Sequence, residues 1–548
     1  MAKIKINRFG GVIPRYVSTA LRENMASHAT NVKLWNGALE PFRMPKQIKA
    51  VPDAHINTLH RLRNCCWLTF DKPCVNIAEW LPTCERVYVT GTHDYPVVSF
   101  VDKDNCHLDY KRVGLPIPNP PTVEYSSLDV TDKTSSARAY VYTYVNSFNE
   151  EGPPSLATPA VTVDAAVTAT ITFPEPPPGW DIKAIRIYRL AHTFIDGTQP
   201  GQELHSDYFY VDQIASSQRK FTDHVPDNEL VEALVSHQYT PPPVGLKNIV
   251  ALTDGVLAGS IGNQVWFSEP YQPQAWPVDY MLSLDDDVRA LTFSNGVLYA
   301  LTDGHPYAIS EQLQQEQNCR QVKRMPKSAP IVSGKSSVAV PNGVVYACND
   351  GLMLVSANNM SLLTGPWYSK DDWQALLPHQ MIGAMVQGQY MGVTCKGSFL
   401  FDIRDGVEND GISDNDLMPL TLMPNALFTD RDGTLYMAFG NVIHEWDAGN
   451  TYLPYTWRSR INDLPGLHNM SCAKVRFSHH AESNRLSSGV QVTHYADGRA
   501  LFKRQVTQSR AYRLPAKGRY FDVEIEVNGT ESVREIELAT SMSELAGV

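Results

Sequence analysis

The sequence predicts a mainly β protein, and three observations carry that prediction. Short apolar runs recur between turn-forming pairs, helix-length periodic stretches are almost absent, and the 34 glycines and 37 prolines are spread as punctuation between strand-like runs. The recurring grammar is clearest at 246–310. There an apolar run (249–252, 290–293) meets Asp254-Gly255 or Asn295-Gly296. A second run follows, then Gly262-Asn263 or Asp303-Gly304, then a third, aromatic run. Asn-Gly and Asp-Gly pairs reach positive φ at low cost and are the strongest short-range hairpin signal. The same order returns around Asn342-Gly343 with Asp350-Gly351, and around Asp432-Gly433 with Gly440-Asn441. Copies begin near 249, 290, 338, 390 and 426. A repeat of roughly 40–50 residues with three or four short strands suggests propeller blades. The predicted class is a β-propeller with an inserted immunoglobulin or fibronectin-like β-sandwich and a C-terminal β unit.

Taken in order, residues 1–59 form an N-terminal segment. The stretch LRENMASHATN (21–31) is Ala-rich without Gly or Pro and has helical composition. Residues 32–43 read as a hairpin closing on Asn36-Gly37. Residues 60–115 read as a first blade, with strands at 66–70, 75–80, 86–90 and 97–101. The proline-rich stretch 115–121 is a stiff linker. Beyond it the periodicity is two, as in ARAYVYTYV (137–145) and TATITF (168–173), with no helical stretch. Several short strands over 116–243 predict the inserted sandwich, and a second linker, Thr240-Pro241-Pro242-Pro243, ends it. The remaining blades occupy 244–455, with only short helices expected, such as 310–317 and 370–377. Residues 456–548 form a terminal β unit that closes the propeller or makes a small second sandwich.

The net charge of −11 argues against gripping nucleic acid through its phosphates, which requires a basic face. The start, MAKIKINRFGG, lacks the apolar core of a secretory signal, and no run approaches a membrane span. Nine scattered cysteines without C-x-x-C spacing are expected to be small buried hydrophobes in a reducing compartment.

Catalytic chemistry needs a constellation, and none is legible. Ala258-Gly259-Ser260-Ile261-Gly262 lacks the first glycine of a nucleophile elbow. No phosphate-binding glycine loop or H-E-x-x-H is present. His444-Glu445-Trp446 has no second histidine at the needed spacing, and His479-His480 reads as a surface loop. No metal, cofactor or enzymatic activity is expected. The sharpest acidic cluster is Asp285-Asp286-Asp287, for which a cation site or a carboxylate pair competes with an exposed inter-blade loop. The loop 402–416 is the richest in acids, with Asp405, Glu408, Asp410, Asp414 and Asp416, but it misses the calcium-loop pattern. Tyr271, Trp276, Tyr280, Trp367, Tyr368 and Trp373 are expected in cores or interfaces.

The run GVLAGSIGNQVWFSEPYQPQAWP (255–277) resembles a segment of bacteriophage virion proteins. YVYTYVNSFNEEGPPS (140–155) is similar to a segment that precedes it in those proteins. Leu301 to Tyr307, Asn318-Cys319 and Asn349 to Leu352 follow in the same order, and FGGVIP (9–14) through NGALEP (36–41) is similar to their N-terminal pattern. The family is the tail nozzle or tail hub (tail tubular protein B-like) of short-tailed phages. That resemblance implies a structural protein of the virion tail, made in the host cytoplasm. It further implies a propeller ring, hexameric about the tail axis, below the portal–adaptor. Such a ring forms the DNA-ejection channel, touches passing genomic DNA without specificity, and docks tail fibre or spike proteins. No catalytic residues come with the family. Acidic loops suit a channel that DNA must slide through, so Asp285, Asp286, Asp287, Asp405, Glu408, Asp410, Asp414 and Asp416 are candidate channel-lining residues. The chain is shorter than the larger nozzle proteins. The alternative is a receptor- or glycan-binding propeller, or a tailspike-like protein.

Overall fold

The computed structural model describes residues 3–545 except 53–54, 82–84, 102–105, 129–135, 165, 194–204, 315–316, 404–416 and 479–488; at 192–193, 205–206, 311–314 and 317–319 it describes the backbone alone. The chain is mainly β, built from many small antiparallel sheets. Among the described residues no helix is long and apolar enough to cross a membrane. Two units divide it: residues 62–66 with 75–296, and residues 1–61 with 67–74 and 297–548.

The unit containing 75–296 has two four-stranded sheets. One runs Lys111–Arg112, Val97–Phe100, Arg86–Thr90, Asn76–Glu79; the other runs Lys247–Ala251, Leu257–Ile261, Gln264–Phe267, Leu282–Ser283. Their inward residues share one core: Ala78, Tyr88, Val98 and Val113 from the first meet Ile249, Leu257 and Trp276 from or beside the second. Between them in sequence lie three further sheets. Thr122–Tyr125, Ala169–Thr172 and Lys220–Asp223 make one. Glu151–Pro154, Tyr140–Val145, Ala184–Thr193 and His205–Ala215 make another. Ser136–Arg138 pairs with Val161–Val163. The two larger of these sheets bury a common core, in which Tyr140, Tyr142, Tyr144, Ile185 and Ile187 face Ala169 and Ile171. Alternation places the three tyrosines on one side, as period two requires. The two proline stretches are neighbours. At Gly114 (φ +84°), a Cβ would lie 2.8 Å from Pro241 Cβ, so entry and exit of the 116–243 segment run side by side.

The reading of 60–115 shifts by one strand. Trp67–Phe70 pairs with Thr58–Arg61, not with the strand at 76–79, and Lys111–Arg112 takes the fourth place. The cysteine expectation is overturned at one pair: Cys66 and Cys106 form a disulfide, with Cα atoms 5.4 Å apart. Spacing along the chain does not signal it, because tertiary contact makes it. The tight turn Leu62–Cys66 is tied to the chain at Val101, whose carbonyl accepts from Asn64 Nδ2 at 3.0 Å. Cys348 and Cys472 are buried as expected, whereas Cys65, Cys74 and Cys395 are exposed.

In the other unit, Val338–Val340, Gly343–Ala347, Leu352–Val355 and Met360–Leu362 form one four-stranded sheet; Ile382–Val386, Gln389–Thr394, Gly397–Asp402 and Leu417–Leu420 form the next. That second copy begins near 382, ahead of the 390 expected. The third consists of Ala426–Thr429, Leu435–Phe439 and Val442–Glu445, and its fourth strand is Lys46–Ala50 from the other end of the sequence. Lys370–Ala375 is helical, with a capping box from Ser369 and Asp372. The helix expected at 310–317 is not formed, because Tyr307–Gln314 is a strand paired with Gln317–Arg324.

Two sheets gather both chain ends. One runs Lys3–Ile6, Val533–Ala539, Cys472–Phe477, Tyr512–Arg513; the other contains Ala26–Thr30, Tyr455–Ser459, Tyr520–Gly529, Val490–Ala496 and Arg499–Val506. Ala26–Thr30 lies inside the stretch expected to be helical. Its small residues pair with Thr456–Ser459, and Ala26 and Ala29 are fully buried, so tertiary burial overrides a weak helical preference. Charges pin the first strand: Lys3 bridges Glu537 at 2.8 Å and Lys5 bridges Glu535 at 3.2 Å, while Arg476 reaches Glu535 at 3.0 Å.

His494 is buried in this region, with Nε2 2.9 Å from the Tyr512 hydroxyl, Phe502 stacked on its ring, and Arg504 over the far Tyr512 ring. Burial pushes its pKa down to about 4. In the unfolded chain it is near 6.5. Between those values the unfolded state binds the proton and the folded state does not, so stability is present above about pH 6.5 and is lost as pH falls toward 4. We expect wild type to lose roughly 2–3 kcal/mol more than His494→Phe between pH 7 and pH 4.5, read from urea midpoints. Parallel profiles for the two proteins would remove this histidine as the cause.

Candidate functional site

Two of the segments that carry the resemblance, 140–155 and 255–277, meet within the 75–296 unit. Asn146 shapes the turn after Tyr140–Val145: its Oδ1 accepts from the backbone N–H of Phe148 and Glu150, both at 2.9 Å, and its Nδ2 donates to Glu150 at 2.7 Å. Glu150 then accepts from Arg86 at 2.5 Å, on the neighbouring four-stranded sheet. The Phe148 ring lies under Arg86 (4.4 Å) and Lys111 (5.2 Å). Glu151 is a buried hub. It accepts from Thr143 Oγ1 (2.6 Å), the Tyr188 hydroxyl (2.8 Å), Ser236 Oγ (3.3 Å) and Arg186 (2.9 Å). A buried carboxylate is tolerated only when so surrounded.

The 255–277 run meets this hub. Gln274 Nε2 donates to the Glu151 carbonyl at 3.2 Å. Trp276 is fully buried, donates to the Pro273 carbonyl at 3.0 Å, and exchanges bonds with Thr240. Trp80 Nε1 donates to the Gly255 carbonyl at 2.7 Å. Gly255 (φ +65°) must be glycine, since a Cβ would stand 2.8 Å from the Tyr271 ring. Gln274 Oε1 is buried without a partner among the described residues, but the other polar groups named here are engaged, and the arrangement joins sheets.

An open cleft of about 240 Å³ lies beside this junction, lined by His93, Tyr95, Tyr110, Lys111, Arg112, Trp180 and Asp181 among others. The turn after Arg86–Thr90 brings His93 and Tyr95, and the register Val97↔Arg112 places Arg112 beside them. The Gly179 turn, ahead of Ala184–Thr193, delivers Trp180 and Asp181. Planar groups follow one another: His93 stacks on Tyr95 (5.7 Å, 24°), the Arg112 guanidinium lies 4.5 Å from the Tyr95 centroid, and it lies 3.7 Å from that of Trp180. Tyr110 meets His93 edge-on at 5.3 Å. Burial pushes Arg112 below its ordinary value and Tyr110 above its own. Asp181 is bound by Ser147 through both N–H (3.2 Å) and Oγ, and Lys111 stands 3.4 Å away. Burial alone raises its pKa, but these bonds hold it below the usual carboxylate range. Sequence reasoning missed this cleft because its lining comes from three separate segments; the one local cue is a tryptophan directly after Pro176-Pro177-Pro178-Gly179.

Asp285, Asp286 and Asp287 lie in the bend between Leu282–Ser283 and Val288–Ser294. The Gly262-Asn263 turn clasps that bend: Val288 N–H donates to the Gly262 carbonyl at 2.9 Å, and Asn263 Nδ2 donates to the Leu284 carbonyl at 2.7 Å. Asp285 and Asp287 are exposed and Asp286 is half-buried. Asp405, Glu408, Asp410, Asp414 and Asp416 lie outside the described residues, as do His479 and His480. No group of three or more acidic, histidine or cysteine side chains is placed to hold a metal ion among the described residues. Of the aromatic residues singled out, Trp276, Trp367, Tyr368 and Trp373 are core, Tyr280 is half-buried, and Tyr271 is 56% exposed.

No family model matches the sequence, and no curated protein matches it. Among solved structures, Hsv2 of Kluyvelomyces marxianus aligns over 57% of this chain and 90% of its own, at 10% identity and a TM-score of 0.25. AztD of Citrobacter koseri aligns over 52% of this chain and 97% of its own, at 9% identity and a TM-score of 0.21. Overlaps so loose assign nothing to this chain.

Proposed function

We propose that this chain is a structural, non-enzymatic component of a short-tailed phage tail. In this reading it is a β-propeller with an inserted immunoglobulin or fibronectin-like sandwich and a C-terminal β unit. It assembles as a homo-hexameric ring below the portal–adaptor, builds the DNA-ejection channel, and docks fibre or spike proteins. One observation carries the reading: in the segments 140–155 and 255–277, Glu150 ties to Arg86 of the neighbouring sheet, Gln274 ties to the Glu151 carbonyl, and Trp276 fills the core shared by two sheets. A scaffold requires that use of its most specific residues, whereas an enzyme would hold some of them open to substrate.

The successive four-stranded antiparallel sheets favour blades. The strand Lys46–Ala50 in the sheet of 426–445 favours a closed array, since a sheet shared by distant parts of the chain seals a ring and removes an open edge. The adjacent linkers and the shared core of the two sheets in 116–243 favour an inserted sandwich. Asp285, Asp286 and Asp287 are the proposed lumen charges, because like charge keeps phosphates sliding.

Co-expression with the adaptor of the same phage, followed by native mass and negative-stain imaging, is expected to give a six-fold ring with an axial hole. A stable monomer or trimer that ignores the adaptor and cuts host glycans would sink the proposal. Reversing all three aspartates to lysine is expected to slow DNA ejection from assembled virions; unchanged ejection removes them from the lumen.

A further inference from the structure

We propose that the cleft at Arg112 is a binding site for a hexuronate unit, a sugar ring bearing a carboxylate. The cleft holds an unused donor set. The Arg112 guanidinium lies over the rings of Tyr95 and Trp180, and no carbonyl or carboxylate accepts from it among the described residues. The other charges in the cleft are engaged with each other. Lys111 donates to Ser147 Oγ at 2.7 Å and sits 3.4 Å from Asp181, and Asp181 is taken by Ser147. Arg112 is therefore the cation whose partner is missing.

A guanidinium fixed by stacking presents its N–H fork in one plane, and that fork matches a carboxylate with two parallel bonds. Holding the fork in advance lowers the ordering cost of binding. The rest of the lining specifies what carries the carboxylate. Tyr95, Tyr110 and His93 combine apolar ring surface with hydroxyl and imidazole groups, which suits the alternating C–H and hydroxyl surface of a sugar ring. The cleft, at about 240 Å³, is smaller than the roughly 300–1,000 Å³ of sites for drug-sized ligands, so it takes one ring. A protein carboxylate side chain would leave the Tyr95 and Tyr110 hydroxyls unused, whereas a sugar ring carries hydroxyls to meet them; His93 Nδ1 is already met by Thr92 Oγ1 at 3.1 Å.

This inference does not rest on the tail reading: a ring can assemble whether or not the cleft is filled. The test is titration of the full-length protein with D-glucuronate, by calorimetry and by saturation-transfer NMR, against D-glucose, acetate and inorganic phosphate. Saturable binding of glucuronate is expected, with each of the other three at least roughly tenfold weaker. Arg112→Lys keeps the charge but loses the fork, and is expected to weaken glucuronate roughly tenfold with unchanged circular dichroism. Tyr110→Phe, which removes only a hydroxyl, is expected to weaken it severalfold. Acetate or phosphate binding as tightly as glucuronate would reduce the site to an anion hole and overturn the saccharide assignment. Absence of saturable glucuronate binding, or binding indifferent to Arg112→Lys in a folded protein, would overturn it entirely.

Discussion

Asp223→Ala is expected to lower stability by about 3–5 kcal/mol, the cost of breaking a buried ion pair from one side. Arg189 and Asp223 are both fully buried, and the guanidinium donates to the carboxylate at 2.6 Å. The same carboxylate accepts from the Tyr140 hydroxyl at 2.7 Å and from the Val225 N–H at 2.9 Å. Removing it strands the buried Arg189 charge and the buried Tyr140 hydroxyl, and frees the Val225 N–H. Arg189 keeps one further partner, Asp227 at 2.8 Å, which is part-exposed and restores only a fraction of the loss. Arg189→Met alone is expected to cost a similar amount, because Asp223 is then the uncompensated charge. The pair Arg189→Met with Asp223→Leu should cost less than either single change, since two apolar groups leave little unsatisfied. Urea unfolding of the four proteins measures this directly. Single variants within about 1 kcal/mol of wild type would show that the pair contributes little.

Trp457→Ala carries the second large effect, again about 3–5 kcal/mol. Trp457 is fully buried in Tyr455–Ser459, meets Phe9 edge to face at 4.9 Å, and donates from Nε1 to the Gly10 carbonyl at 3.0 Å. Truncation opens a cavity and leaves that carbonyl unsatisfied, and the resulting loss exceeds the transfer of the ring alone. Trp457→Phe refills most of the volume and is expected to cost less than half as much. If the alanine and phenylalanine variants lost equal stability, the hydrogen bond to Gly10 and not the packing would be the dominant contribution.

Trp457 also shows where sequence reading stops. The strand around it is legible from its alternating pattern, but its partner strand, Ala26–Thr30, is read locally as helical. More than four hundred residues of chain separate the two, and no local preference encodes such a pairing. The acidic triplet makes the complementary point. Its place in a connection between strands was visible, yet the clasp by Gly262 and Asn263 that orders the bend was not. Arg112 lay wholly out of sight, because an arginine in a two-residue strand becomes notable only when a tyrosine and a tryptophan from other segments close on it.

The β class and the turns of the hairpin grammar were legible in the sequence. Each follows from chemistry that acts within a few residues: positive φ at Asp254-Gly255 and Asn295-Gly296, fixed φ at proline, and alternation along a strand. Only the tertiary structure decided that Lys46–Ala50 completes the sheet of 426–445, that Lys3–Ile6 joins Val533–Ala539, that Cys66 finds Cys106, and that Arg112 is stacked beside an open cleft. Those pairings are selected by burial and loop closure over long separations, and no short stretch of sequence records them.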